Sequence, residues 1–152
     1  MTLDDIKQVA NLAERFHSES IYKDLDYDLC KFSAVLKQIV EMDNQIGIVY
    51  TVDNVIVGAM AGYASEYFFS KDKIAGEYGV FIDKSHRGGY AVIRMIKHFE
   101  NWAIKQGAII IQLGVSANIN ADKVGRLYQK LGYNDSFQVY SCLLYTSDAA
   151  DD

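Results

Sequence analysis

"DKSHRGGYAVIRMIKHFENWA", residues 83 to 103, decides the fold of this chain. A charged turn runs into an amphipathic helix with no proline at its start. Two glycines, Gly88 and Gly89, stand where the helix begins, behind His86 and Arg87. Glycine lets another group approach the backbone closely, and a helix start presents unpaired N–H groups to an anion. The plain alternative is a surface turn whose glycines only satisfy backbone geometry.

On either side of this stretch lie β-rich runs. "IAGEYGVFI", residues 74 to 82, leads into it, and "AIIIQLGVS", residues 108 to 116, follows it. The helix buries Val92, Met95, Ile96, Phe99, Trp102 and Ala103 on one face, and Gly107 is its expected stop. A strand–helix–strand unit of this kind is parallel and right-handed. The second run is continuously apolar, which predicts a strand covered on both faces. Upstream, "QIGIVYTV" and "VIVGAMAGYASEYFF" form an antiparallel hairpin about Asp53-Asn54, a dipeptide that tolerates positive φ. Phe68 and Phe69, in "YFF", read as core strand.

Two helices precede the hairpin. Thr2 and Asp5 make a capping-box-like start, and Leu3, Ile6, Val9, Ala10, Ala13 and Phe16 mark one helical face. Leu29, Phe32, Leu36, Ile39 and Val40 mark a second helix, with Cys30 expected in the core. A fourth helix covers about Ala121 to Lys130 before Gly132, and a last strand covers about Phe137 to Leu144. The order is α-α-β-β-β-α-β-α-β, a mixed α/β (α+β) domain with a central sheet flanked by helices.

The chain has 152 residues, half of them hydrophobic and 23% charged, which suits one soluble globular domain. The reading is a single domain over 1–144. "CLLYTSDAADD", Cys142 to Asp152, resembles a translated sequencing adapter, so 145–152 reads as a non-native or frayed tail. No apolar run reaches the roughly 20 residues that span a bilayer. The N-terminus has neither signal nor transit character, which makes a cytoplasmic location the expectation. A formal charge of −5 argues against a nucleic-acid binder. Two cysteines and three scattered histidines show no metal spacing, and no metal is expected.

The loop His86-Arg87-Gly88-Gly89-Tyr90-Ala91 lacks a Walker lysine and the G-x-G-x-x-G fingerprint. Its successive N–H groups could still cradle a pyrophosphate. The loop resembles the Q/R-x-x-G-x-G/A segment of the GNAT superfamily of acetyl-CoA-dependent N-acyltransferases. His86 stands in the Gln/Arg position, or Arg87 is that arginine in a loop one residue shorter. "GRLYQKLGY", Gly125 to Tyr133, is similar to the family's L-Y-x-K-x-G-F/Y segment. Element order agrees over residues 1 to about 144, and "GVSANINADK" looks closest to small phage-encoded members.

The resemblance implies acetyl-CoA as co-substrate, with the pantetheine arm against Phe81 and Ile82. The pyrophosphate then sits on Arg87, Gly88, Gly89, Tyr90 and Ala91. It implies direct attack of a neutral amine on the thioester through a tetrahedral oxyanion, and Tyr128 stands where the family often places the acid. Glu77, on the strand before the loop, is the candidate base, with a solvent-facing strand carboxylate as its alternative. Gly79, two residues on, is expected on the same face, leaving space for the acceptor, and Tyr78 on the opposite face as core. Phe16, Glu19 and Ser20 are expected to border the acceptor, and Glu19, Glu66 and Glu77 would together favour a cationic one. That acceptor is a small-molecule or protein amine. Exposed hairpin edges would allow a homodimer. The rival readings are a non-catalytic acyl-CoA-binding or host-protein-binding module, and a nucleotide-phosphate binder unrelated to CoA.

Overall fold

The computed structural model describes residues 1–115, 119–136 and 139–142. The chain divides into two compact units, Met1–Ile119 and Asn120–Asp152.

The first unit opens with a single 3-10 turn, Leu3–Asp5. There the Asp5 carboxylate accepts from the Thr2 backbone N–H at 2.7 Å, as the capping-box reading expected. Helix α1 is Ile6–Glu19 and α2 is Leu29–Glu41. Asp28 caps α2 by accepting from Lys31 N at 2.9 Å. Strands β1 (Gln45–Val52), β2 (Val55–Glu66) and β3 (Lys73–Ile82) follow. Asp53 and Asn54 join β1 to β2 with φ of 49° and 63°, the left-handed pair that a tight hairpin requires. Helix α3 is Ala91–Lys105, stopped by Gly107 at φ +81°, and β4 is Ala108–Gln112. The second unit holds α4, Ala121–Lys130, ended by Gly132 at φ +95°.

The strands lie in the order β1-β2-β3-β4. The first three pair antiparallel, and β3 pairs parallel with β4 across the α3 crossover. Each face of the sheet carries its own core. Met60, Ala64, Ala75 and Ile82 pack with Met95 and Phe99 of α3. On the other face Ile56 and Ala59 pack with Val9 and Leu12 of α1 and Leu36 and Ile39 of α2. Those helical residues recur every three or four positions, so each helix closes one face with a single stripe.

Several expectations change. Ile109 and Ile110 are 67% and 51% exposed, so β4 is not covered on both faces. Among the described residues it is an edge strand. Phe68 and Phe69 are exposed at the β2–β3 connection, their rings clustered with Tyr67 rather than in the core. Cys30 is exposed because the first turn of α2 turns its Leu29–Cys30 end away from the sheet. Of the expected last strand, Phe137 to Leu144, residues 137–138 and 143–144 lie outside the described residues, and Val139 to Cys142 are not in a strand. The tail 145–152 also lies outside them.

Candidate active site

Pairing between β3 and β4 runs from Lys73↔Ala108 to Gly76↔Gln112 and then stops, while β3 continues to Ile82. The last six residues of β3, Glu77 to Ile82, therefore have no β4 partner, and the sheet opens into a fork. A bulge sits at the same point. Gly62 of β2 pairs with Glu77, but its neighbour Ala61 pairs with Gly79, which leaves Tyr78 as the extra residue.

This single insertion reverses the alternation of β3. Cross-strand partners share a face. A Cβ on Gly62 would press on the Phe99 ring, so Glu77 shares the α3 face. Ala61 packs with the α1 and α2 core, so Gly79 shares that face instead. The expectation that Glu77 and Gly79 lie on one face is thus corrected. Tyr78 is 54% exposed, with its ring 5.1 Å from Tyr63, and is not core.

Glu77 stands in the mouth of the fork. Its Oε1 accepts from Gly114 N, just beyond β4, at 2.9 Å. Its Oε2 is buried and, among the described residues, has no hydrogen-bond partner. Burial pushes the carboxyl above its ordinary value of 4.5, and the Gly114 N–H only partly opposes that. A carboxylate in this condition is more basic than an exposed one, and an unpartnered oxygen remains to take a proton.

Past the fork, the chain makes a 3-10 turn at Lys84–His86 and enters the glycine loop. The Asp83 carboxylate accepts from Ser85 Oγ and from Arg15 of α1 at 3.1 Å, and these bonds hold its pKa below the ordinary value. Ser85 Oγ also lies 2.9 Å from His86 Nδ1. Arg87 turns away from the loop it was expected to charge. Its Nε donates to Ile82 O at 2.9 Å, and its two terminal nitrogens grip the Glu19 carboxylate at 2.7 and 3.2 Å.

Gly88 has φ +86°, and an added Cβ at Gly88 or Gly89 would meet nothing within 4 Å among the described residues. Tyr90 is the exposed N-cap of α3, and Ala91 is buried as its first residue. The first N–H groups of any α-helix lack intrahelical partners. The loop therefore offers a ligand backbone N–H groups and open space, while its guanidinium is committed to Glu19.

Phe81 packs its ring 5.5 Å from Phe16 on the α1 face, and Ile82 is buried on the α3 face. The three acids expected to form one pocket are not together. Glu66 pairs with Lys73 at one end of β3, Glu19 holds Arg87 beyond the other, and Glu77 faces α3. Sequence reasoning missed a cleft of about 320 Å³ between α2 and the sheet, which Tyr78, Gly79 and Phe81 of β3 help to line. In the second unit, Tyr128 of α4 has its ring 6.0 Å from that of Tyr133.

The described residues thus combine a parallel strand pair that parts after Gly76 with a glycine loop at the start of α3. The chain belongs to the acetyltransferase (GNAT) family, which matches residues 6–133. By sequence, no curated protein matches. Among solved structures, a transcriptional regulator from Bacillus halodurans C-125 is similar with TM-score 0.78 at 19% identity, over 95% of this chain and 96% of that one. The aminoglycoside N-acetyltransferase AAC(6')-Iy in complex with CoA has TM-score 0.77 at 14% identity, over 94% and 90%. A ribosomal-protein-alanine N-acetyltransferase from Brucella melitensis biovar Abortus 2308 has TM-score 0.70 at 13% identity, over 95% and 96%. At such identities the likeness is one of fold.

The co-substrate of this family is acetyl-CoA. The described residues fit it: the fork beyond Gly76 admits an extended arm, and Gly88 and Gly89 leave room for a diphosphate against backbone N–H groups. Among the described residues, no group of three or more His, Cys, Asp or Glu could hold a metal ion, and no helix is long and apolar enough to cross a membrane.

Proposed function

We propose that this protein is an acetyl-CoA-dependent N-acetyltransferase that passes the acetyl group directly to a primary amine held with it in a ternary complex. The observation that carries the reading is Glu77, a half-buried carboxylate in the mouth of the β3–β4 fork whose buried Oε2 has no hydrogen-bond partner among the described residues. A purely structural acid at such a depth would be expected to satisfy both oxygens.

The bound thioester supplies the acyl group. Phe81 and Ile82 flank its pantetheine arm, and the backbone from Arg87 to Ala91 holds its diphosphate. Glu77 accepts the proton that the amine loses as its N–C bond forms. Tyr128 donates a proton to the departing thiolate as the C–S bond breaks. A phenol of pKa about 10 is only a little weaker an acid than a thiol of about 8.5, so the transfer follows charge developing on sulfur. Among the described residues no base is bonded to Cys30, in the first turn of α2, which favours direct transfer over an acyl-cysteine route. The acceptor is a small molecule in this reading, as for the aminoglycoside acetyltransferases among the similar structures, with a protein amine as the other class.

The test has two arms: calorimetric titration with acetyl-CoA, CoA, ATP and NADH, and release of free thiol from acetyl-CoA in the presence of primary amines. Selective binding of the two coenzyme A species and amine-dependent thiol release are expected. A folded protein that binds neither would overturn the reading.

A further inference from the structure

We propose that the acceptor is a primary amine on an apolar body, one aromatic ring or a short branched chain in size, seated in the cleft between α2 and β3. The proposal rests on the acetyl-transfer reading and names the substrate class of that same site. Phe32, Leu36 and Ile39 form the helical wall of the cleft, and Ala61, Gly79 and Phe81 form the sheet wall. Its polar members are the neutral amides of Gln38 and Gln45 and the Tyr78 phenol, whose pKa burial raises. Met1 lines the cleft as well, but its ammonium is engaged, donating to Gly47 O at 2.8 Å. Among the described residues, no acidic side chain lines the cleft.

Two features tie this cleft to the reaction. It reaches the stretch of β3 that has left β4: Tyr78, Gly79 and Phe81 line the cleft, and all three lie past the last β3–β4 pair at Gly76. At Gly79, among the described residues, the only atoms near a hypothetical Cβ are those of the Phe81 ring at 3.8 and 3.9 Å, so the strand face is open there. An amine reaching over Gly79 arrives beside the fork while its body stays in the cleft. Size and charge then select the body. The volume of about 320 Å³ lies at the small end of ligand clefts, which run to about 1,000 Å³. A polyamine or aminosugar would bring several ammonium groups into a wall with no carboxylate to pair them, which is unfavourable. An apolar body gains from the same wall by leaving water.

The experiment compares acceptors and reports separately on the donor. Acetyl-CoA binding is measured by calorimetry on the unaltered full chain. Thiol release is then followed with 2-phenylethylamine and isopentylamine against spermidine and sisomicin. The expected result is acetyl-CoA binding with kcat/KM for the apolar amines at least about tenfold above that for the polycations, equivalent to about 1.4 kcal/mol. Val35, a half-exposed cleft residue of α2, provides the variant. Val35→Asp places a carboxylate in the wall without disturbing the buried core, and is expected to lower kcat/KM for 2-phenylethylamine and raise it for spermidine. Failure to bind acetyl-CoA overturns the acetyl-transfer reading, and this proposal with it. If acetyl-CoA binds but spermidine or sisomicin is preferred, or no amine is accepted, the acceptor proposal alone is overturned.

Discussion

Arg87 and Glu19 form a two-pronged ion pair, at 2.7 and 3.2 Å, that joins the last turn of α1 to the loop before α3. The third guanidinium bond, Nε to Ile82 O, ties the same side chain to the end of β3. Three elements thus meet at one cation, and the glycine loop hangs from it. The arginine shapes the loop, and the proposed contact with the diphosphate falls to the backbone beyond it. Removing the clamp should loosen the loop without touching the reacting groups. Arg87→Ala is expected to raise KM for acetyl-CoA about tenfold, about 1.4 kcal/mol, with kcat little changed. Glu19→Gln should act in the same direction more weakly. The bond from Arg87 holds the Glu19 carboxyl below its ordinary value of 4.5. Its contribution to stability is therefore complete above that value and lost as pH falls through the lower, folded-state value. Denaturant midpoints across acid pH should show that loss in the unaltered protein and less of it in Glu19→Gln.

Glu77 carries the opposite sign. Its pKa is raised by burial, so the folded state holds its proton more tightly than the unfolded state. Stability from this group is fully present below 4.5 and is lost as pH rises through the raised value. Glu77→Gln should remove that loss, leaving the protein at least as stable near neutral pH. Its turnover should fall by about 10²–10⁴, the range for loss of a general base. Activity of the unaltered protein should climb with pH along the titration of this carboxyl. A Glu77→Gln enzyme with full turnover would sink the assignment of the base.

The two loop glycines separate strain from ligand approach. Gly88 has φ +86°, so Gly88→Ala strains the fold and should lower stability by about 1 kcal/mol. Gly89 has no such φ, and a methyl group there meets nothing within 4 Å. Gly89→Ala should therefore leave the melting temperature unchanged while weakening acetyl-CoA binding, because the methyl group occupies space a diphosphate needs. Unchanged affinity in a calorimetric titration would return the glycines to the status of a turn.

Tyr128→Phe tests the acid. With Tyr128 donating to the leaving thiolate, kcat should drop about 10²-fold or more while KM for acetyl-CoA stays near its starting value. Equal turnover by the phenylalanine variant would leave the ring with a packing role beside Tyr133, its neighbour at 6.0 Å.

Features set by a few neighbouring residues were legible in the sequence. Asp53-Asn54 announced a hairpin because few residues tolerate positive φ, and Gly107 and Gly132 announced helix ends for the same reason. Helical periodicity in residues 83 to 103 placed α3 and with it the loop, and Glu77 was identified on the strand before it. What could not be read depended on partners far along the chain. The bulge at Tyr78 exists only against β2, and it sends Glu77 and Gly79 to opposite faces. The grip of Arg87 on Glu19 spans 68 residues and needs α1 packed against the sheet. The unpartnered oxygen of Glu77 arises from where β3 and β4 part. Local sequence determined the elements and the loop, since φ preferences and hydrophobic periods act over a few residues. Tertiary structure decided which charges are neutralised, which face each β3 residue takes and where a cleft is left, because those follow from pairing and burial between distant segments.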